Sequence, residues 1–155
     1  MTETVSPKTA NSYQAQLRLQ ASPDAVFDAF TTLEGIAGWW TRQVSGSGAE
    51  GGELTLGFPN SDGPRVVLHV DTAERARSIV WSVRSVPPLP AWEEWAGTRI
   101  VVRLRPTGNG GTAMEFEHEG LTPALHCYDT CSGGWDHGMA SLRRYVETGI
   151  DQAAF

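Results

Sequence analysis

Residues 98–120 read TRIVVRLRPTGNGGTAMEFEHEG, in which two alternating segments flank a turn rich in Gly. Large side chains, first Ile, Val and Leu and then Met, Phe and His, occupy alternate positions, and Arg or Glu fills most of the positions between them. This alternation predicts two antiparallel strands, 98–105 and 112–119, each with one buried and one solvated face. The same parity places His118 on the buried face beside Phe116.

Four further segments alternate in the same way and predict additional strands. They begin at Tyr13 and at Leu54 and cover 65–72 and 77–84. The short links between neighbouring segments favour antiparallel pairing. The glycine-rich stretch 46–52 is expected to be a flexible loop. The sequence therefore predicts six strands in one antiparallel sheet.

Two short helices are predicted between the first two strands. Ser22 supplies an N-cap, and Pro23 is favoured at the first helical position. Apolar side chains then recur at helical spacing. A second helical turn is expected over 33–40, and it ends in the pair Trp39 and Trp40.

A long amphipathic helix is predicted to begin near Pro123. Apolar side chains in this stretch recur three or four positions apart, and Gly149 is placed to end the helix. This apolar stripe consists of Cys127, Cys131, Trp135, Met139, Leu142 and Val146.

The order of these elements predicts an α+β domain in which a curved six-stranded antiparallel sheet wraps around the long C-terminal helix. A sheet with one apolar face needs a cover, and only the long helix is large enough to provide it. Because a curved sheet and a straight helix do not touch along their whole length, a cavity is expected between them. Residues 1–12 are expected to form a flexible tail and 13–150 a single domain.

The composition narrows the classes of partner. The chain has 155 residues and a formal net charge of -6, and its pI is about 5.1. These values argue against nucleic-acid binding, which depends on clustered Lys and Arg. No apolar run approaches the roughly 20 residues of a membrane span, and no secretory signal is recognised, so a cytoplasmic location is expected. Both cysteines are predicted to be free thiols.

Several runs together resemble a known family. They are ASPDAVFDAFTTLEGIAGWW, IVWSV, EEWAGTRIVVRLRPTGNGGTAMEFEHEGL and GGWDHGMASLRRYVETG. They are similar to the activator of heat-shock-protein-90 ATPase homologue-like family, within the START-like (SRPBCC) superfamily, over residues 13–149. The resemblance implies a helix-grip fold. Across the superfamily it also implies binding of lipids, sterols, polyketides or aromatic metabolites.

The side chains expected to face the cavity are large, aromatic or sulfur-containing. They come from the early helices, the inward strand faces, the Pro-rich loop 85–97 and the long helix. That loop can act as a lid over the cavity or be a surface loop anchored by its two Trp rings. The predicted ligand-binding residues are Phe27, Phe30, Trp39, Trp40, Leu56, Trp81, Trp92, Trp95, Phe116, His118, Cys131, Trp135 and Met139.

Some of these residues have a competing structural explanation. Trp39 and Trp40 point about 100° apart on a helix, so at most one faces a ligand, and core packing is the stronger explanation for both. Trp81 and Trp135 are better placed for a ligand. A buried His118 needs a hydrogen-bond partner, which is more often the backbone or water than a ligand.

The sequence does not favour a metal site. His126, Cys127, Cys131 and His137 lie close in sequence, but on a helix they do not converge on one point. No metal or other cofactor is therefore predicted.

Acid–base catalysis is not indicated either. Glu93, Glu94, Asp129 and Asp136 are not paired by their spacing and are interpreted as solvated charges. No catalytic residue is therefore predicted.

The leading hypothesis is a non-catalytic protein that binds a small hydrophobic or aromatic molecule, such as a lipid, in the cavity. One alternative is a cyclase, aromatase or hydrolase acting on polyketide-like substrates. Another is a stand-alone interaction module related to a co-chaperone domain. A weak homodimer is compatible with all three, whereas nucleic-acid binding and membrane insertion are not expected.

Overall fold

The computed structural model describes residues 12–57, 66–85, 97–120 and 128–150. Two short helices follow the first strand, and a long helix follows the last. The elements in chain order are β1 Ser12–Leu19, α1 Pro23–Thr31, α2 Leu33–Trp39, β2 Gln43–Gly46, β3 Glu53–Gly57, β4 Val66–Glu74, β5 Ser78–Ser85, β6 Arg99–Pro106, β7 Thr112–Glu119 and α3 Tyr128–Thr148.

All seven strands form one open sheet in the order β1-β7-β6-β5-β4-β3-β2, and every pairing is antiparallel. The first two strands in sequence therefore lie at opposite edges, and the two short helices connect them. This arrangement confirms the predicted α+β class and the antiparallel sheet.

The sheet has one strand more than the sequence predicted. Strand β2 covers Gln43–Gly46 and pairs with β3, partly within the stretch expected to be a loop. Val44 is half-buried and the other three residues are exposed, so the strand carries no buried face. Strand β2 is held by backbone hydrogen bonds to β3. Backbone hydrogen bonds impose no pattern of apolar side chains, so the sequence of β2 shows no hydrophobic periodicity.

The β6–β7 hairpin has the predicted inner and outer faces. Ile100 lies opposite His118, and all of their side-chain surface is buried. On the other face, Arg99 lies opposite Glu119, and the Arg99 Nη2 to Glu119 Oε1 distance is 2.8 Å. The alternation therefore assigned the two faces of this hairpin correctly.

Both short helices begin at capping side chains. The hydroxyl of Ser22 accepts a hydrogen bond from the backbone N–H of Ala25 at 3.1 Å, as the sequence predicted for α1. The hydroxyl of Thr32 accepts one from the N–H of Gly35 at 2.9 Å and so caps α2. Thr32 lies between α1 and α2, so its cap also fixes the turn that joins them.

Helix α3 packs against the inner face of the sheet and runs alongside β1. Near one end of β1, the hydroxyl of Tyr13 donates to Asp136 at 2.6 Å. Just past the other end, the N–H of Gln20 donates to Glu147 at 2.8 Å. Gly149, with φ of +78°, ends the helix as predicted.

Candidate functional site

Six aromatic side chains pack together where α2, α3 and the inner face of the sheet meet. Trp40 stacks on Trp39 with ring centroids 5.5 Å apart and an interplanar angle of 13°. On its other side, Trp40 stacks on Trp81 at 5.8 Å and 10°. We call this group the aromatic cluster, and its members are Phe30, Trp39, Trp40, Trp81, Phe116 and Trp135.

Within the aromatic cluster, Trp40 connects the sheet to the long helix. Its ring centroid lies 5.2 Å from that of Trp135, which in turn lies 4.7 Å from Phe116 on β7. Trp40 is only 2% exposed. The gap expected between sheet and helix is therefore occupied, at the level of Trp81 and Trp135, by the indole of Trp40.

His118 is held by a hydrogen bond on each ring nitrogen. The indole N–H of Trp135 lies 3.0 Å from Nδ1, and the hydroxyl of Thr98 lies 2.8 Å from Nε2. Because an indole N–H can only donate, Nδ1 must accept and cannot carry a proton. The proton of the neutral ring is therefore on Nε2, which donates to Thr98.

The burial of His118 also keeps its ring neutral. None of its surface is exposed. Burial disfavours the charged imidazolium and lowers the pKa of His118 from 6.5 to about 3. At neutral pH the ring therefore contributes shape and polarity to the site, but no charge.

Trp81 differs from Trp39 and Trp135 in its hydrogen bonding. The indole N–H of Trp39 donates to the carbonyl oxygen of Ala29 at 2.8 Å, and that of Trp135 donates to His118. The Nε1 atom of Trp81 is buried and has no hydrogen-bond partner among the residues that the structure describes. Buried polar groups without partners are rare in folded proteins.

The remaining predicted site residues that can be located are buried but lie outside the ring contacts. Leu56 on β3 and Met139 on α3 belong to the hydrophobic core. Phe27 lies under the guanidinium carbon of Arg75, which is 5.3 Å from its ring centroid, so this side chain packs towards the surface.

Several predicted residues cannot be placed in the site. Trp92 and Trp95 fall outside the described residues, as do Glu93, Glu94, His126 and Cys127. Cys131 and Asp129 belong to the first turns of α3.

Three polar residues of this region were not predicted as site residues. Thr98 contacts His118, and Tyr13 donates to Asp136. The ring of Tyr13 also lies edge-on to Phe116, with centroids 6.1 Å apart. The inward parity of Tyr13 is visible in the sequence, whereas the contacts of Thr98 and Asp136 depend on elements distant in the chain.

A polar cluster lies on the opposite, outer face of the sheet. Asp71, where the register of β4 against β5 shifts, contacts His69 and Ser82. Burial alone would raise the pKa of Asp71, but the hydrogen bonds from Ser82 and His69 lower the pKa below its usual value of 3.8. The cluster stabilises a charged surface carboxylate and does not reach the aromatic cluster.

A polar groove lies at the β6–β7 turn. Its volume is about 270 Å³, and its lining includes Arg18, Gln20 and Asn109. It is formed at the other end of β1 from Tyr13 and is separate from the predicted site.

Within the described ranges, no three His, Cys, Asp or Glu side chains come together as a metal site. No helix in the same ranges is long and apolar enough to cross a membrane.

The fold and part of the sequence match known proteins. The model of the family described as Activator of Hsp90 ATPase homolog 1-like protein matches residues 20–147. The Aha1 dimer from Colwellia psychrerythraea is similar in structure, with a TM-score of 0.75 and 25% identity over 89% of this chain and 97% of that chain. No curated protein sequence matches the chain.

Two further solved structures share the fold at lower identity. CalU16 from Micromonospora echinospora has a TM-score of 0.67 and 22% identity over 89% of this chain and 77% of that chain. DynU16, from the dynemicin biosynthetic locus, has a TM-score of 0.68 and 21% identity over 92% of this chain and 49% of its own. These likenesses agree with the helix-grip arrangement of sheet and long helix.

Proposed function

Because the chain belongs to the family of Activator of Hsp90 ATPase homolog 1-like proteins, we propose that it uses its helix-grip fold to bind a small apolar or aromatic molecule. The ligand lies between the inner face of the sheet and α3, in the space that the Trp40 indole occupies when no ligand is bound, and packs against the rest of the aromatic cluster. Binding involves no chemical change of the ligand.

The uncharged aromatic wall carries this proposal. Trp81 on the central strand and Trp135 on the long helix each lie against Trp40, so their rings face the ligand once the Trp40 indole moves aside. A planar apolar molecule gains dispersion energy and buries its surface against such rings. The neutral His118, whose ring nitrogens bond to Thr98 and Trp135, places no charge beside the ligand.

The state of His118 favours binding over catalysis. A general base needs a lone pair that can reach the substrate proton, and general acids and bases work best when their pKa lies near the working pH. In His118 the Nδ1 lone pair already accepts a hydrogen bond from the indole of Trp135. Burial also lowers the pKa of His118 to about 3. A cyclase-like reaction would require a different acid or base.

The surface gives less support to an interaction module. Across the described part of the chain, the exposed large hydrophobic side chains are Leu33 and Ile150, which are 37% and 56% exposed. Two isolated side chains do not form the contiguous apolar patch that marks a stable protein interface. We therefore propose that any homodimer is weak, although a structural neighbour is a dimer.

Native mass spectrometry of the freshly purified protein tests the proposal. We expect a non-covalent mass addition that disappears on denaturation. We also expect saturable binding of the probes 1-tetralone or tetralin in calorimetry. Replacing Trp135 with Ala should weaken probe binding at least tenfold, because the substitution removes one ring of the wall and the donor to His118.

Leu33→Ala on the exposed side of α2 is the matched control and should bind the probes as the unsubstituted protein does. Circular dichroism checks that each variant folds. If Trp135→Ala does not fold, Trp135→Phe is used in its place. A bare protein mass together with no saturable binding of either probe would contradict the proposal.

A further inference from the structure

The indole N–H of Trp81 is a buried donor without an acceptor among the described residues. Trp81 is completely buried on β5, the central strand of the sheet, and its Nε1 has no partner among the described residues. In water this N–H would be hydrogen-bonded, so the folded protein loses that interaction. An acceptor supplied from outside the described chain would restore it.

The neighbours of Trp81 explain why the described part of the chain does not supply the acceptor. On the inner face of the sheet, Trp81 is paired with Val70 on one side and Ile100 on the other. Its remaining ring contacts are Phe30, with centroids 5.8 Å apart, and Trp40. None of these four side chains carries a hydrogen-bond acceptor oxygen.

The other indoles show that the fold can satisfy such donors when they are structural. Trp39 and Trp135 both sit in the aromatic cluster, and both N–H groups have a partner at 3.0 Å or less. Of these three indoles, Trp81 is the one whose N–H has no partner within the described ranges, and it lies on the strand that faces the proposed ligand.

We propose that the indole N–H of Trp81 recognises the ligand by donating a hydrogen bond to it. The ligand is then a ring compound that carries a carbonyl or similar acceptor oxygen, and not a plain hydrocarbon. This inference rests on the proposed binding function and adds a chemical class to it. A hydrocarbon of the same shape fills the same space but leaves the donor unsatisfied.

The probes 1-tetralone and tetralin separate these cases, because they share a fused ring system and differ by one carbonyl oxygen. In ¹H–¹⁵N spectra of the full chain, we expect the indole resonance lost in Trp81→Phe to move downfield with 1-tetralone. It should not do so with tetralin, which controls for ring-current effects. We also expect the affinity ratio of 1-tetralone to tetralin to decrease about tenfold in Trp81→Phe.

Trp39→Phe is the matched control. It removes the same part of an indole, but one whose N–H is already bonded to Ala29, so the affinity ratio should stay unchanged. If both probes bind and Trp81→Phe leaves their ratio unchanged, or the Trp81 resonance does not respond to 1-tetralone, the inference is wrong and the binding function stands. If neither probe binds, the binding function fails and the inference fails with it.

Discussion

At the scale of single residues, the sequence located His118 but did not identify its partners. The alternation of apolar and charged residues in β7 was enough to predict that the His118 side chain points inward. The hydrogen bonds to Thr98 and Trp135 join β6, β7 and α3, which are separated in the chain, and no local pattern encodes such contacts. His118 is hydrogen-bonded within the protein, but its partners are side chains and not the backbone or water that the sequence interpretation favoured.

The neutral state of His118 predicts a specific pH dependence of stability. Its folded pKa of about 3 lies below the unfolded value of 6.5, so the unfolded state binds a proton that the folded state does not. The stabilisation is fully present above pH 6.5 and is lost as pH decreases towards 3. Urea unfolding should show a loss of up to about 1.4 kcal/mol per pH unit from this residue.

His118→Gln removes this titration while keeping a polar side chain. The variant should be less stable at pH 7 but should lose less stability between pH 6.5 and 5 than the unsubstituted protein. That window lies largely above the range in which ordinary carboxylates titrate. Equal pH slopes for the two proteins would show that His118 is protonated in the folded state.

At the scale of elements, periodicity predicted the strands with buried faces and missed the one without. Strand β3 was predicted from alternating Leu54 and Leu56, both fully buried. Its neighbour β2 is mostly exposed and ends at Gly46, so nothing in its side chains distinguishes it from a loop. The close contact of α1 with α2 was likewise not predictable, because it depends on a missing side chain at Gly35.

Substitution of Gly35 tests the close contact between α1 and α2, and Gly138 provides the comparison. A Cβ atom at Gly35 would lie 2.4 Å from the carbonyl oxygen of Asp28 and 2.7 Å from the Cα of Ala29, both in α1 backbone. Gly35→Ala should therefore reduce the free energy of unfolding by about 1–3 kcal/mol. Thermal or urea unfolding measures the change.

Gly138→Ala is the matched substitution in α3. Its Cβ would lie 3.6 Å from the ring of Trp39, an ordinary contact, and alanine favours the helix over glycine by roughly 0.5–1 kcal/mol. The variant should be as stable as the unsubstituted protein or more so. If Gly35→Ala were equally well tolerated, the close packing of α1 on α2 would be wrong.

At the scale of the whole molecule, the family and the helix-grip arrangement were predicted correctly, whereas the sequence left open whether side chains fill the space between sheet and helix. That filling depends on how α2 docks. The hydroxyl of Ser141 on α3 donates to the carbonyl oxygen of Trp39 at 2.9 Å, and this contact sets the position of the adjacent Trp40. Such a tertiary contact has no signature in the sequence around either residue.

Trp40→Ala tests whether this indole fills the space. Removing a buried Trp side chain typically costs 3–5 kcal/mol, and we expect a loss of about this size in urea unfolding. The resulting apolar cavity should bind indole, which would restore part of the lost stability. The gain on adding indole should be larger for the variant than for the unsubstituted protein, and equal gains would contradict the placement of Trp40.

The pairing of β1 with β7 has a consequence for biosynthesis. Tyr13 lies opposite His118 in this pairing. Strand β1 is synthesised before β7, so β1 has no partner in the sheet until β7 has left the ribosome. Contacts between such distant segments slow folding, because a long stretch of chain must be closed before they form. Until β7 and α3 emerge, the aromatic residues of α2 and β5 lack part of their cover, and exposed apolar surface of this kind makes a nascent chain prone to aggregation.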